Sequence, residues 1–109
     1  MTREEVLYQL KRTGVRQEAD FAVPINGQQI KLPYHVVRTK DTISGSDNGK
    51  VQTLKIEWTV ALFTTNKETA MESVFLKALS GVGRVEVIRF PDGTPYQTTF
   101  KFNTNQIIR

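Results

Sequence analysis

Val51-Gln52-Thr53-Leu54-Lys55-Ile56-Glu57-Trp58-Thr59-Val60-Ala61-Leu62-Phe63 alternates with a period of two. Leu54, Ile56, Trp58, Val60 and Leu62 fall on one side, and Thr53, Lys55, Glu57, Thr59 and Ala61 on the other. Successive side chains of a strand point to opposite faces, so this pattern predicts a β-strand with one apolar face on a core and a mostly polar face outside. At about 3.3 Å per residue the strand would span roughly 40 Å. That exceeds the needs of a compact domain of 109 residues. One end is therefore expected to project as a β-arm with the preceding strand.

Outward from this strand the pattern stays regular. On its N-terminal side, Tyr34 to Ile43 reads as another strand, with Tyr34 and Val36 on one face and His35 and Val37 on the other. Ser44-Gly45-Ser46-Asp47-Asn48-Gly49 joins the two strands with turn formers and small polar residues, which predicts a mobile hairpin loop. Earlier still, Phe21, Val23 and Ile25 alternate into Pro24 and the Asn26-Gly27 turn signal, so a strand is expected to end there or lie at an edge. Residues from Gln28 to Leu32 then lead to Pro33 as a loop or weak strand. The chain opens with a helix: Thr2 and Glu5 form a capping box, Val6, Leu7 and Leu10 share a face, and Gly14 stops it.

On the C-terminal side, Thr65 with Glu68 is a second capping box, with Asn66 as an alternative cap. Met71, Val74, Phe75, Ala78 and Leu79 form a helical stripe that ends at Gly81 and Gly83. Val85, Val87 and Phe90 read as a strand, Pro91-Asp92-Gly93-Thr94 as a tight turn, and Tyr96, Thr98, Phe100 and Phe102 as a last strand running on toward Ile107. The expected order is α-β-β-β-α-β-β. That is an α+β fold: a mostly antiparallel sheet packed by two helices, with a projecting hairpin, in one domain covering residues 1–109.

Composition narrows the chemistry. The apolar fraction of 39% and charged fraction of 24% suit a folded domain. With no cysteine, disulfides, Cys-ligated zinc and thiol catalysis are excluded, and folding in a reducing cytosol is the fitting expectation. The N-terminal residues lack the apolar stretch of a signal peptide, and no apolar run approaches a membrane span. The net charge is +4, from 15 Lys and Arg against 11 Asp and Glu, but the cations are scattered without a run of five. A small nucleic-acid-binding or regulatory domain is thus the alternative rather than the leading reading.

No catalytic constellation emerges. His35 is the only histidine, and no serine sits in a G-x-S-x-G elbow, so His35 is expected to be a solvated or hydrogen-bonded strand residue. Asp41 and Asp47 flank one loop without the ligand spacing that calcium requires. Gly81-Val82-Gly83 follows a helix and precedes a strand, the reverse of a phosphate-binding loop. Trp58 aligns with core residues, which argues against a base-stacking platform made with Tyr34, Tyr96, Phe100 and Phe102. No catalytic, cofactor-binding or metal-binding residue is assigned, no cofactor is expected, and the chain is not expected to be an enzyme.

The layout resembles the small tail-completion or tail-terminator-like proteins encoded between the head and tail genes of siphophages and prophages. The matching pieces begin with Glu5-Val6-Leu7-Tyr8-Gln9-Leu10, Thr13-Gly14-Val15 and Leu32-Pro33-Tyr34-His35-Val36-Val37. They continue through Asp47-Asn48-Gly49-Lys50-Val51 and Trp58-Thr59-Val60-Ala61-Leu62-Phe63-Thr64 to the capped helix and closing hairpin. Their order covers nearly the whole chain. Where many such proteins have a tyrosine-rich strand after Pro33, this chain has His35 and Val37.

The resemblance implies a virion structural protein made in the host cytoplasm. Such subunits form a ring, typically six-fold, that caps the tail tube and joins it to the head connector. The implied partners are further copies of the chain, the tail tube protein and head-tail connector proteins, with DNA passing nearby and no membrane. Ser44, Ser46, Asp47, Asn48 and Lys50 of the hairpin are the expected contact residues with a neighbouring subunit or the tube lumen.

Overall fold

The computed structural model describes residues 2–18, 31–45, 52–65, 69–92 and 95–108. It is an α+β fold. Helix α1 (Arg3–Arg12) is followed by strands β1 (Arg16–Gln17), β2 (Tyr34–Gly45) and β3 (Gln52–Thr64), helix α2 (Thr69–Ala78), a 3₁₀ turn (Ser80–Val82), and strands β4 (Glu86–Phe90) and β5 (Tyr96–Ile108). The five strands form one sheet in the order β1-β2-β3-β5-β4. Only the short β1–β2 pair is parallel. The predicted strand around Phe21 to Ile25 lies outside the described residues, and β1 takes the first place among the described strands.

α1 forms as its sequence dictates. Thr2 accepts from the Glu5 backbone N–H while the Glu5 side chain accepts from the Thr2 backbone, which satisfies donors the helix cannot pair internally. Gly14 leaves the helix at φ 79°, a left-handed conformation that disfavours a side chain. Val6 and Leu10 are buried, whereas Leu7 stands largely at the surface.

β3 is central. It pairs without a bulge with β2, from Tyr34↔Phe63 to Gly45↔Gln52, and with β5, from Gln52↔Ile108 to Thr64↔Tyr96. Its alternation puts Ile56, Trp58, Val60 and Leu62 against Val6, Leu10, Phe75, Leu79, Phe100 and Phe102 in the main core, under both helices. Phe75 stacks with Phe100, Trp58 stacks with Phe102, and the Trp58 indole N–H donates to Thr104 Oγ1 at 2.8 Å. The indole thus buries its ring without an unpaired donor.

Two expectations about faces are corrected. The second face of β3 is polar along only part of its length: Ala61 and Phe63 are buried with Tyr34 and Val36 in a separate cluster on the side away from the helices. Second, α2 is rotated about its axis relative to the predicted stripe. Phe75 and Leu79 are buried, but Val74 is 44% exposed and Glu72 takes the inward position. Burial of Glu72 is made possible by Arg89 on β4, whose Nε and Nη2 both reach Glu72 Oε1, at 3.0 and 2.8 Å. The predicted cap residues Asn66 and Glu68 lie outside the described residues.

Truncation at the two α2 positions separates the faces. Phe75→Ala is expected to lower unfolding free energy by about 3–5 kcal/mol, because it removes a buried ring. Val74→Ala is expected to change it by less than about 0.5 kcal/mol. Urea denaturation of both variants checks the pair.

Candidate assembly surface and the buried histidine

The helices are short relative to the strands. Ten residues of α-helix rise about 15 Å, whereas thirteen residues of β3 run about 43 Å. Each helix is far shorter than the strand, yet together they bury the helix-side face of β3 as far as Ile56, with Leu54 packed against the same core, and the molecule extends 53 × 31 × 24 Å. The end beyond is built from β2, β3 and β5 together. The expected two-stranded arm is thus a three-stranded ribbon, because β5 continues alongside β3 to its far end. Arg3, the first residue of α1, lies over the ribbon itself. Its guanidinium pairs with Asp41 on β2, and its backbone N–H donates to the Gln106 side chain on β5 at 3.2 Å.

Ser44 sits at the exposed end of β2, opposite Thr53. The other expected contact residues, Ser46, Asp47, Asn48 and Lys50, lie outside the described residues. Sequence reasoning missed the two strand edges of the ribbon. β1 pairs with β2 only at Tyr34 and His35, and β4 pairs with β5 only from Gln97 to Lys101. Beyond those points, residues 39–45 of β2 and 102–108 of β5 have no described strand on the side away from β3. Ile43 and Ile107 are 60% and 63% exposed there.

A groove of about 790 Å³ crosses the sheet higher up, and Arg38, Lys40, Arg84 and Lys101 line it together with Glu57 and Glu86. Lys40 stands directly across from Glu57, and Lys101 directly across from Glu86. The groove therefore mixes charges of both signs. Among the described residues no group of three or more His, Asp or Glu side chains is placed to hold a metal ion.

His35 is neither solvated nor hydrogen-bonded through its ring, contrary to expectation. It is 1% exposed, packs edge-on against Phe75 of α2, and neither ring nitrogen has a hydrogen-bond partner. Its position follows from the register. His35 pairs with Leu62, so both point toward the helices. Burial lowers the imidazole pKa, and the nearby main chain of Arg16 and Val15 opposes this only in part. The backbone of His35 also holds the chain just after β1, accepting from the Glu18 N–H at 2.9 Å.

No protein-family model matches the chain, and no curated protein matches it in sequence.

The buried imidazole makes stability depend on pH. With its folded pKa below the unfolded value, His35 is neutral in both states above about pH 6.5 and contributes no slope there. Below that pH the unfolded chain binds the extra proton, so stability falls as pH drops, by at most about 1.4 kcal/mol per unit. Denaturant midpoints measured between pH 7.5 and about pH 5 are expected to show this slope in the native chain and to lose it in His35→Leu.

Proposed function

We propose that the chain is a non-catalytic assembly subunit that acts by self-association, of the kind that forms a ring at the end of a phage tail or at the head-tail junction. The observation that carries this reading is the ribbon. The chain devotes the far ends of three strands to a ribbon that is exposed at Ile43 on β2 and Ile107 on β5. Its β2 side does little for the core, since residues 41–45 are exposed. Projecting elements of this kind gain stability when a partner covers them. The resemblance of the segment order to tail-completion proteins supports the same reading and supplies the partners: further copies of the chain, a tail tube protein and a head connector.

A second reading, a nucleic-acid-binding module, draws on the groove that holds Arg38, Lys40, Arg84 and Lys101. Glu57 and Glu86 weaken it, because each stands across from one of those lysines. A polyanion track is favoured by cations without carboxylates among them.

Light scattering across a wide concentration range, with and without short duplex DNA, separates the two. A closed oligomer whose mass ignores DNA is expected. A monomer that gains mass only with DNA, and loses it steeply as salt rises, contradicts the assembly reading.

A further inference from the structure

The ribbon's edges can be read residue by residue. The His35 carbonyl accepts from Glu18, the residue after the neighbouring β1, so the His35 backbone points away from β3. Along a strand the backbone groups of successive residues point alternately to the two sides. The β2–β3 register has no break, so Thr39, Asp41 and Ile43 also direct N–H and C=O away from β3, whereas Thr42 and Ser44 direct theirs toward it. The same alternation carried through β3 to β5 turns the Asn103, Asn105 and Ile107 backbones away from β3, on the opposite side of the ribbon. Each edge thus presents three consecutive outward donor–acceptor sets.

Exposed edges of this kind invite pairing with another strand, and isolated proteins blunt them with lysine, proline, bulges or very short strands. The β5 edge has none of these. Phe102-Asn103-Thr104-Asn105-Gln106-Ile107-Ile108 contains no charge and no proline, and its register has no bulge. On β2, Asp41 is held by Arg3, and the stretch beyond it, Thr42-Ile43-Ser44-Gly45, is also uncharged. The two edges have equal length and lie on opposite sides of one three-stranded ribbon. β2 and β5 each run antiparallel to β3, and so run parallel to each other.

We propose that the β5 edge of one copy pairs in parallel with the β2 edge of the next copy, head to tail, so that each copy contributes three strands to one continuous sheet. This rests on the assembly reading above and names its surface. The occupant is a second copy because the chain itself carries both matching edges. Head-to-tail pairing also agrees with the charges: β5 carries none from Phe102 to Ile108, so Lys40 and Asp41 of the β2 edge meet no like charge there. Two-fold pairing of β2 with β2 centred on Asp41 sets carboxylate against carboxylate and leaves both β5 edges open. A head-to-tail contact repeats, and closes into a ring when the rotation per copy permits.

Cysteine cross-linking tests the pairing cleanly, because the native chain has no cysteine. Thr42→Cys is mixed in turn with Asn103→Cys, Asn105→Cys and Ile107→Cys, and a mild oxidant is added. All four positions lie on the sheet face away from the helices, and within one copy β2 and β5 are separated by β3. Disulfide-linked pairs are expected in at least one mixture, and none in Thr42→Cys alone. In parallel, Ile43→Pro and Ile107→Pro each delete one outward N–H, and each is expected to weaken self-association about tenfold with the thermal melt kept. Self-association with no β2–β5 cross-link, and indifferent to both prolines, overturns the edge pairing and leaves the assembly reading standing. A chain that stays monomeric at millimolar concentration overturns both.

Discussion

β3 is paired along its whole length with β2 on one side and β5 on the other, and the rest of the molecule is arranged around that double ladder. A slip of one residue would turn Ile56, Trp58, Val60 and Leu62 out of the core and bring Lys55, Glu57 and Thr59 in. The register is pinned further by the indole of Trp58, which stacks on Phe102 and donates to Thr104, both on β5. α1 and α2 then cover the face that carries the larger apolar cluster. Together they bury β3 as far as Ile56, α2 lying over Phe100 and the start of α1 reaching Asp41 and Gln106.

Much of this was legible because it depends on local pattern. The period of two in β3 and β5, the capping box at Thr2, and the stop at Gly14 each need only neighbouring residues to be recognised. What stayed hidden depends on residues distant in the chain. Glu72 falls outside the helical stripe of apolar residues, and its burial rests on Arg89, seventeen positions later, while Val74 of that stripe faces outward. Ala61 and Phe63 lie on the face that reads as polar, and become a second core only when β2 brings Tyr34 and Val36 against them. β1 has two residues and a parallel partner, too short for any periodicity to mark it. His35 gave no hint of burial, since only its pairing with Leu62 turns it beneath Phe75.

The candidate surface was hidden for the same reason. The hairpin after Ser44 stands out by composition, but which strands lie at the edge is a matter of topology. β3 leads through α2 to β4, and β5 then returns between β4 and β3. Because β4 has five residues against thirteen for β5, the far half of β5 has no described strand on the side away from β3. An uncharged edge of that length is a hazard for an isolated domain and an advantage for a subunit that meets its own kind. The Arg3–Asp41 pair, partly exposed, adds little stability by itself. Its value is positional, since it joins α1 to β2 within the ribbon.

Amide hydrogen exchange, followed residue by residue in dilute and concentrated protein, tests the ribbon most directly. In the dilute chain Thr42 and Ser44, bonded toward β3, are expected to exchange slowly, while Thr39, Asp41, Ile43, Asn103, Asn105 and Ile107 exchange fast. In the concentrated protein the fast set on both edges is expected to become protected together. Outward amides already slow in the dilute chain, or still fast once the protein has associated, contradict assembly through these two edges.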